Sequence, residues 1–198
     1  MNIKDAVYTV LRFISALIVM GICVLKVKGR HNVPKNGGFL IASNHVSYLD
    51  PLALGVACPR SIYYMAKRDL FENHAFALLL DLAHAFPVKR GAPDLGALRA
   101  AIKKLKSGKG LLLFPEGTRQ QDGKLGDPEA GVGFLAAKAG VPVIPAFVTG
   151  TQDALPRGSK LVRRAKITVS FGEQIRIERG TPYDVIASRI MEGIRRLS

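Results

Sequence analysis

His45 and Asp50 stand five residues apart in SNHVSYLD, residues 43–50, directly behind the apolar run at residues 39–42. An imidazole at the end of a core strand and a carboxylate just before Pro51 suit one kind of chemistry. If the chain bends back between them, the carboxylate accepts one ring N–H and fixes the tautomer. The other ring nitrogen then offers its lone pair to a substrate proton, as a general base does. Two plainer readings stand beside this one. Asp before Pro is a good helix N-cap, and a histidine behind a strand can be purely structural. Ser47 lacks the G-x-S-x-G elbow of a serine nucleophile and reads as a turn or positioning residue, and Asn44 reads as a turn residue.

A second candidate lies in LLLFPEGTR, residues 111–119. A buried strand stops at Pro115, and a polar loop follows. Gly117 permits a close backbone approach, Thr118 brings a hydroxyl, and Arg119 brings a planar fork suited to phosphate. Glu116 is expected to hold Arg119 or to accept from a hydroxyl. The plain alternative is a surface turn with a solvated ion pair. Lys67 with Arg68, and Lys89 with Arg90, also follow apolar runs, so cations beyond several strand ends would form a phosphate pocket. No cluster has metal-ligand spacing, and no metal is expected.

These residues need a scaffold that presents strand ends on one side. Apolar runs at 39–42, 62–66, 85–88, 111–114, 143–148 and 167–171 read as strands. Helical patterns fill 52–57, 70–83, 95–105, 132–139 and 183–197 between and after them. Such alternation predicts one α/β domain with a mostly parallel central sheet flanked by helices. In that architecture ligands bind beyond the carboxyl ends of the strands, where His45 and residues 115–119 both fall.

Residues 6–25 are almost wholly apolar and are interrupted only by Arg12; Lys26, Lys28 and Arg30 follow. No small-x-small cleavage site precedes that basic cluster, which argues against a signal peptide. An amphipathic core helix is one reading. A hydrophobic membrane-associating helix, with the cations at anionic head groups, is the preferred one. The expected division is therefore a segment at 1–28 and a catalytic domain at 29–198, lying on the cytoplasmic face as a peripheral, monotopic or singly anchored protein.

The 198 residues carry 29 Lys and Arg against 15 Asp and Glu, a formal charge of +14, which favours anionic partners. Nucleic acid is a distant choice, because the chain has no Trp and no helix-turn-helix or RNA-recognition signature. The two cysteines form no CxxC pair, consistent with a reducing compartment.

The motifs together resemble a known family. NHVSYLD fits the N-H-x-S-x-x-D signature, and FPEGTR the second hallmark, of the glycerolipid acyltransferases, the bacterial 1-acyl-glycerol-3-phosphate type above all. AFPVKR, YMAKRDLF and VPVIPAFVTG resemble further blocks. The likeness covers roughly residues 29–172. Lys89 departs from the acidic residue common in its block, and Asp127 and Glu129 stand where the family often has basic residues.

The resemblance implies acyl transfer from acyl-CoA or acyl-carrier protein to a lysophospholipid hydroxyl at a membrane surface, without a cofactor. It implies His45 as base, Asp50 as its partner, and Lys67, Arg90 and Arg119 on the acceptor phosphate. Glu116, Gly117 and Thr118 would shape the phosphate site, and residues 142–145 part of its wall. 1-Acyl-glycerol-3-phosphate is the first acceptor, with glycerol-3-phosphate or another lysolipid as the alternative.

Overall fold

A computed structural model of the chain describes residues 3–89, 94–120, 125–129 and 131–198. The chain opens with helix α1 (Ile3–Ile22) and strand β1 (Val24–Lys28). Then come β2 (Phe39–Ser43), α2 (Asp50–Ala57), β3 (Ile62–Lys67), α3 (His74–Leu82) and β4 (Ala85–Val88). The second half adds α4 (Leu95–Lys106), β5 (Gly110–Leu113), α5 (Gly131–Ala139), β6 (Val143–Thr149), α6 (Thr151–Ala154), β7 (Lys166–Phe171) and α7 (Tyr183–Arg195).

The seven strands form one sheet in the order β1-β7-β6-β2-β5-β3-β4. β4, β3, β5, β2 and β6 run parallel. β7 turns back antiparallel to β6, and β1 pairs parallel with β7. The expected mostly parallel α/β sheet is therefore what forms. β1 and β7 begin at the edge of the sheet where β2, β5 and β6 end.

Period-two alternation distributes the core between the two faces of the sheet. Phe39, Ile41, Leu112 and Ile144 pack with α1 and α2 residues such as Val19 and Leu54. Leu40, Leu111 and Val143 point the other way, toward Leu105, Leu135 and Ile190 of α4, α5 and α7. β2 is buried at all five positions because it has neighbours on both edges and helices on both faces.

Local signals set several boundaries. Asp94 caps α4 by accepting from Ala97 N–H at 3.0 Å, and Asn73 caps α3 by accepting from Phe76 N–H at 3.1 Å. The helix expected over 70–83 is accordingly split into a 3-10 turn at Arg68–Phe71 and α3. The basic cluster after α1 also differs from expectation. Residues 24–28 are a strand whose exposed positions are Val24, Lys26 and Lys28.

α1 is docked along the domain. Tyr8 Oη accepts from Ile62 N–H at 3.3 Å, and Arg12 donates to the carbonyls of Val56 and Cys58, where α2 ends. His84 stacks between Tyr8 and Tyr63, with ring centroids 4.2 and 4.5 Å away.

Candidate active site

β2 lies between β5 and β6, so three loops meet at its carboxyl end. Asn44 extends the β2–β6 contact by one step with its side chain. Its amide accepts from Val148 N–H at 2.8 Å and donates to Val148 O at 2.9 Å. That pairing fixes the point at which the chain leaves the sheet, immediately before His45.

The chain then folds back on Asp50. Asp50 Oδ2 lies 2.7 Å from His45 Nδ1 and accepts the backbone N–H groups of Val46 and Ser47 at 2.7 and 2.8 Å. Oδ1 accepts the Thr151 hydroxyl at 2.5 Å. Asp50 is fully buried, and so is Thr151, at the start of α6. The carboxylate thus organises the preceding loop instead of capping its own helix, and all four partners are donors. The carboxylate selects the tautomer with hydrogen on Nδ1, leaving the Nε2 lone pair with no protein partner among the described residues. Phe114, at the exit of β5, stacks on the imidazole with centroids 4.0 Å apart.

The β5–α5 loop is tied to the same turn. Glu116 Oε2 accepts His45 N–H at 3.0 Å and Oε1 accepts Gly126 N–H at 2.7 Å. Both carboxylate oxygens are used by backbone, so the expected grip on Arg119 is not what Glu116 provides. Burial pushes the Glu116 carboxyl up from its ordinary value, opposed by those two N–H donors. Gly117 has φ +65, a left-handed conformation that favours glycine, and the Glu129 side chain lies against it.

Gln120 N–H donates to His45 O at 2.9 Å. The Arg119 guanidinium lies over the Tyr48 ring, 3.6 Å from its centroid. Tyr48 itself belongs to the turn between His45 and Asp50. The structure therefore brings His45, Asp50, Glu116, Gly117, Thr118 and Arg119 to one edge of the sheet.

Other expected residues sit differently. Lys67 ends β3, separated from β2 by β5, and its ammonium pairs with Asp69. Arg90 lies outside the described residues. Val143, Ile144 and Pro145 open β6 and are buried in the sheet beside Leu40, Ile41 and Ala42 of β2, so Pro145 lies one step before the end of β2. Pro145 packs there against Gly172 and Gly193. Ser47 is a turn residue, its hydroxyl donating to Leu155 O at 3.2 Å and accepting from Leu49 N–H at 3.3 Å.

Three residues that position the site carried no decisive sequence signal. Thr151 is remote from the motif. Tyr48 occupies a variable place within it. Asn44 read only as a turn former.

Residues 24–149 match the Acyltransferase family. The chain is 35% identical over 153 residues to a 1-acyl-sn-glycerol-3-phosphate acyltransferase of Bacillus subtilis, covering 76% of this chain and 73% of that one. A protein of the same name from Streptococcus pneumoniae is 28% identical over 178 residues, covering 84% and 64%. The chain thus spans less than two thirds of some relatives. In three dimensions it superposes on the 1-acyl-sn-glycerophosphate (LPA) acyltransferase PlsC of Thermotoga maritima with a TM-score of 0.82, covering 98% of this chain and 79% of that one at 24% identity, a likeness of fold. The His–Asp turn, the EGTR loop and the sequence relationships agree: this chain belongs to the acyltransferase family.

Proposed function

We propose that the protein transfers a fatty acyl group from acyl-CoA or acyl-carrier protein to the free hydroxyl of 1-acyl-glycerol-3-phosphate, forming phosphatidic acid. The observation that carries this reading is the 2.7 Å contact between His45 Nδ1 and Asp50 Oδ2 on the turn whose Tyr48 holds the Arg119 guanidinium. A proton acceptor and an anion-binding cation then face one acceptor molecule.

His45 Nε2 takes the hydroxyl proton as the acceptor oxygen attacks the thioester carbonyl. Asp50 stabilises the imidazolium that forms. The tetrahedral adduct collapses, the C–S bond breaks, and the leaving sulfur takes the proton from Nε2. Hydroxyl and thioester become ester and thiol, and the thioester's own activation makes an acyl-enzyme unnecessary. Arg119 holds the acceptor phosphate, and Lys67 and Arg90 are the further cations that the sequence motifs assign to it. Holding both substrates in line adds effective molarity to base catalysis.

Membrane association fits α1. Tyr8, Arg12 and Val19 face the domain, while Val10, Phe13, Ile14, Leu17 and Ile18 recur at helical spacing on the exposed side. A 20-residue helix laid along its own domain, apolar side outward, suits a monotopic seat in the interface of the cytoplasmic leaflet.

Purified protein given one acyl-CoA and a panel of acceptors, read by free thiol, should release thiol fastest with 1-acyl-glycerol-3-phosphate. His45→Ala should lose about 10²–10⁴-fold in kcat while remaining folded. Absence of thiol release with every acceptor, or wild-type turnover by His45→Ala, would refute the reading.

A further inference from the structure

We propose that the loop at residues 155–165, with Lys166 at the start of β7, is a second membrane-contact element, seating on anionic phospholipid head groups at the mouth of the crevice. The proposal rests on reading α1 as membrane-associating, and it names a partner for a surface that reading leaves unused.

The loop is a defined structure. Arg163 N–H closes it on Ala154 O at 2.7 Å, and Ser159 N–H bonds Pro156 O at 3.0 Å. The Ser159 hydroxyl donates to Leu161 O and accepts from Leu161 N–H, at 3.0 and 3.2 Å. That turn presents Leu161 to solvent with 77% of its surface exposed. From Ala154 to Gly172 the chain carries Arg157, Lys160, Arg163, Arg164 and Lys166 and no carboxylate. Among the described residues, none of these five cations forms an ion pair.

Its position joins two surfaces. Toward the crevice, Leu155 O accepts the Ser47 hydroxyl, and Arg157 donates to Arg119 O at 2.8 Å. Toward α1, the Cys23 thiol lies 3.5 Å from Arg163 O, and Val24 N–H donates to Ala165 O at 3.0 Å. Because β1 and β7 run against β2, the end of α1, this loop and the catalytic turn share one edge of the sheet. The exposed apolar side of α1 therefore ends where the cationic loop begins.

An aliphatic tip flanked by unpaired cations matches an anionic bilayer. Leucine enters below the phosphates, while lysine and arginine stay at their level. A soluble acidic carrier protein would satisfy the charges but would leave both Leu161 and the neighbouring apolar helix in water.

The test uses the full chain and sedimentation with vesicles of phosphatidylcholine alone or mixed equally with phosphatidylglycerol. Lys160→Ser with Arg164→Ser removes two surface cations, each worth about fivefold near an anionic surface, so partition to the mixed vesicles should weaken about 30-fold. Partition to phosphatidylcholine should not change. Leu161→Ser should weaken partition to both. The proposal is overturned if either alteration leaves partition to the mixed vesicles at the wild-type value. It is also overturned if the double variant keeps vesicle binding but loses turnover with a carrier-protein thioester in detergent micelles, which marks a protein dock. Micellar turnover with acyl-CoA should match wild type, because neither cation touches the crevice. A wild-type protein inactive in micelles would sink the enzymatic reading while leaving the vesicle comparison standing.

Discussion

Asp50→Asn separates the charge of the carboxylate from its architecture. Oδ2 receives three donors and Oδ1 one, the Thr151 hydroxyl. An amide can place its oxygen at the Oδ2 position and keep the first three. Its NH₂ then meets Thr151 Oγ1, and a hydroxyl can rotate to accept. The turn and the His45 tautomer therefore survive, while the negative charge beside the imidazole is lost. With Nδ1 and Oδ2 2.7 Å apart, the charge centroids lie about 4 Å apart, worth about 4 kcal/mol at an effective dielectric constant near 20. That interaction exists only once Nε2 has taken the proton, so it belongs to the transition state. The expected loss is about 10³-fold in kcat, with KM for the acceptor unchanged. Free-thiol release measures the rate, and thermal unfolding checks that the fold persists. A folded variant within about tenfold of wild-type kcat would show that the carboxylate only shapes the turn, and the base mechanism built on this pair would fail.

The remaining predictions concern positioning, anion binding and stability. Thr151→Val removes the one donor to Asp50 Oδ1 among the described residues, a bond to a buried charge worth about 1.5–3 kcal/mol; kcat should fall about 10–100-fold with KM unchanged, and Thr151→Ser should restore it. Arg119→Ala should chiefly raise KM for the phosphate-bearing acceptor, and Tyr48→Leu should raise it only about two- to fivefold, the worth of an exposed cation–π contact; unchanged KM in Arg119→Ala refutes the phosphate role. His84 is a buried base whose pKa burial lowers from 6.5, with the Asp5 carboxylate opposing the shift. The unfolded chain binds that proton more readily, so the stability His84 contributes is complete above pH 6.5 and declines as pH falls toward the lowered value. His84→Asn, which tolerates the local φ of 62°, should flatten the fall of Tm below pH 6.5; an identical pH profile would contradict this.

The legible parts of this protein are local, and the illegible parts depend on strand order. Runs such as 39–42 and 111–114 announce strands because burial on both faces leaves them continuously apolar. His45 and Asp50 lie close enough in sequence for one turn to join them. β1 escaped notice because its Val-Leu-Lys-Val-Lys alternation continues directly from the apolar α1, and cations after a hydrophobic helix look like a membrane flank. Thr151 lies 101 residues from Asp50. It reaches the carboxylate only because β6 is added beside β2 on the side away from β5, a choice that alternation of strands and helices does not dictate.

Arg12 shows how a single interruption in an apolar run can be the informative residue. From sequence it must either reach water or face protein. In the fold it faces protein, donating to the carbonyls of Val56 and Cys58 at the end of α2. A cation there satisfies acceptors that have no partner within the helix and complements the negative end of its dipole. The other end of the same eight-residue helix begins with Asp50. α2 is therefore held at both ends, by Arg12 from the apolar helix and by the donors that surround the Asp50 carboxylate. Since α1 also supplies Tyr8 to the backbone of β3, the apolar helix is part of the frame that fixes the carboxylate. This coupling explains why an apolar helix so largely exposed to solvent is nevertheless laid along the domain: the residues it turns inward are those that bind α2 and β3.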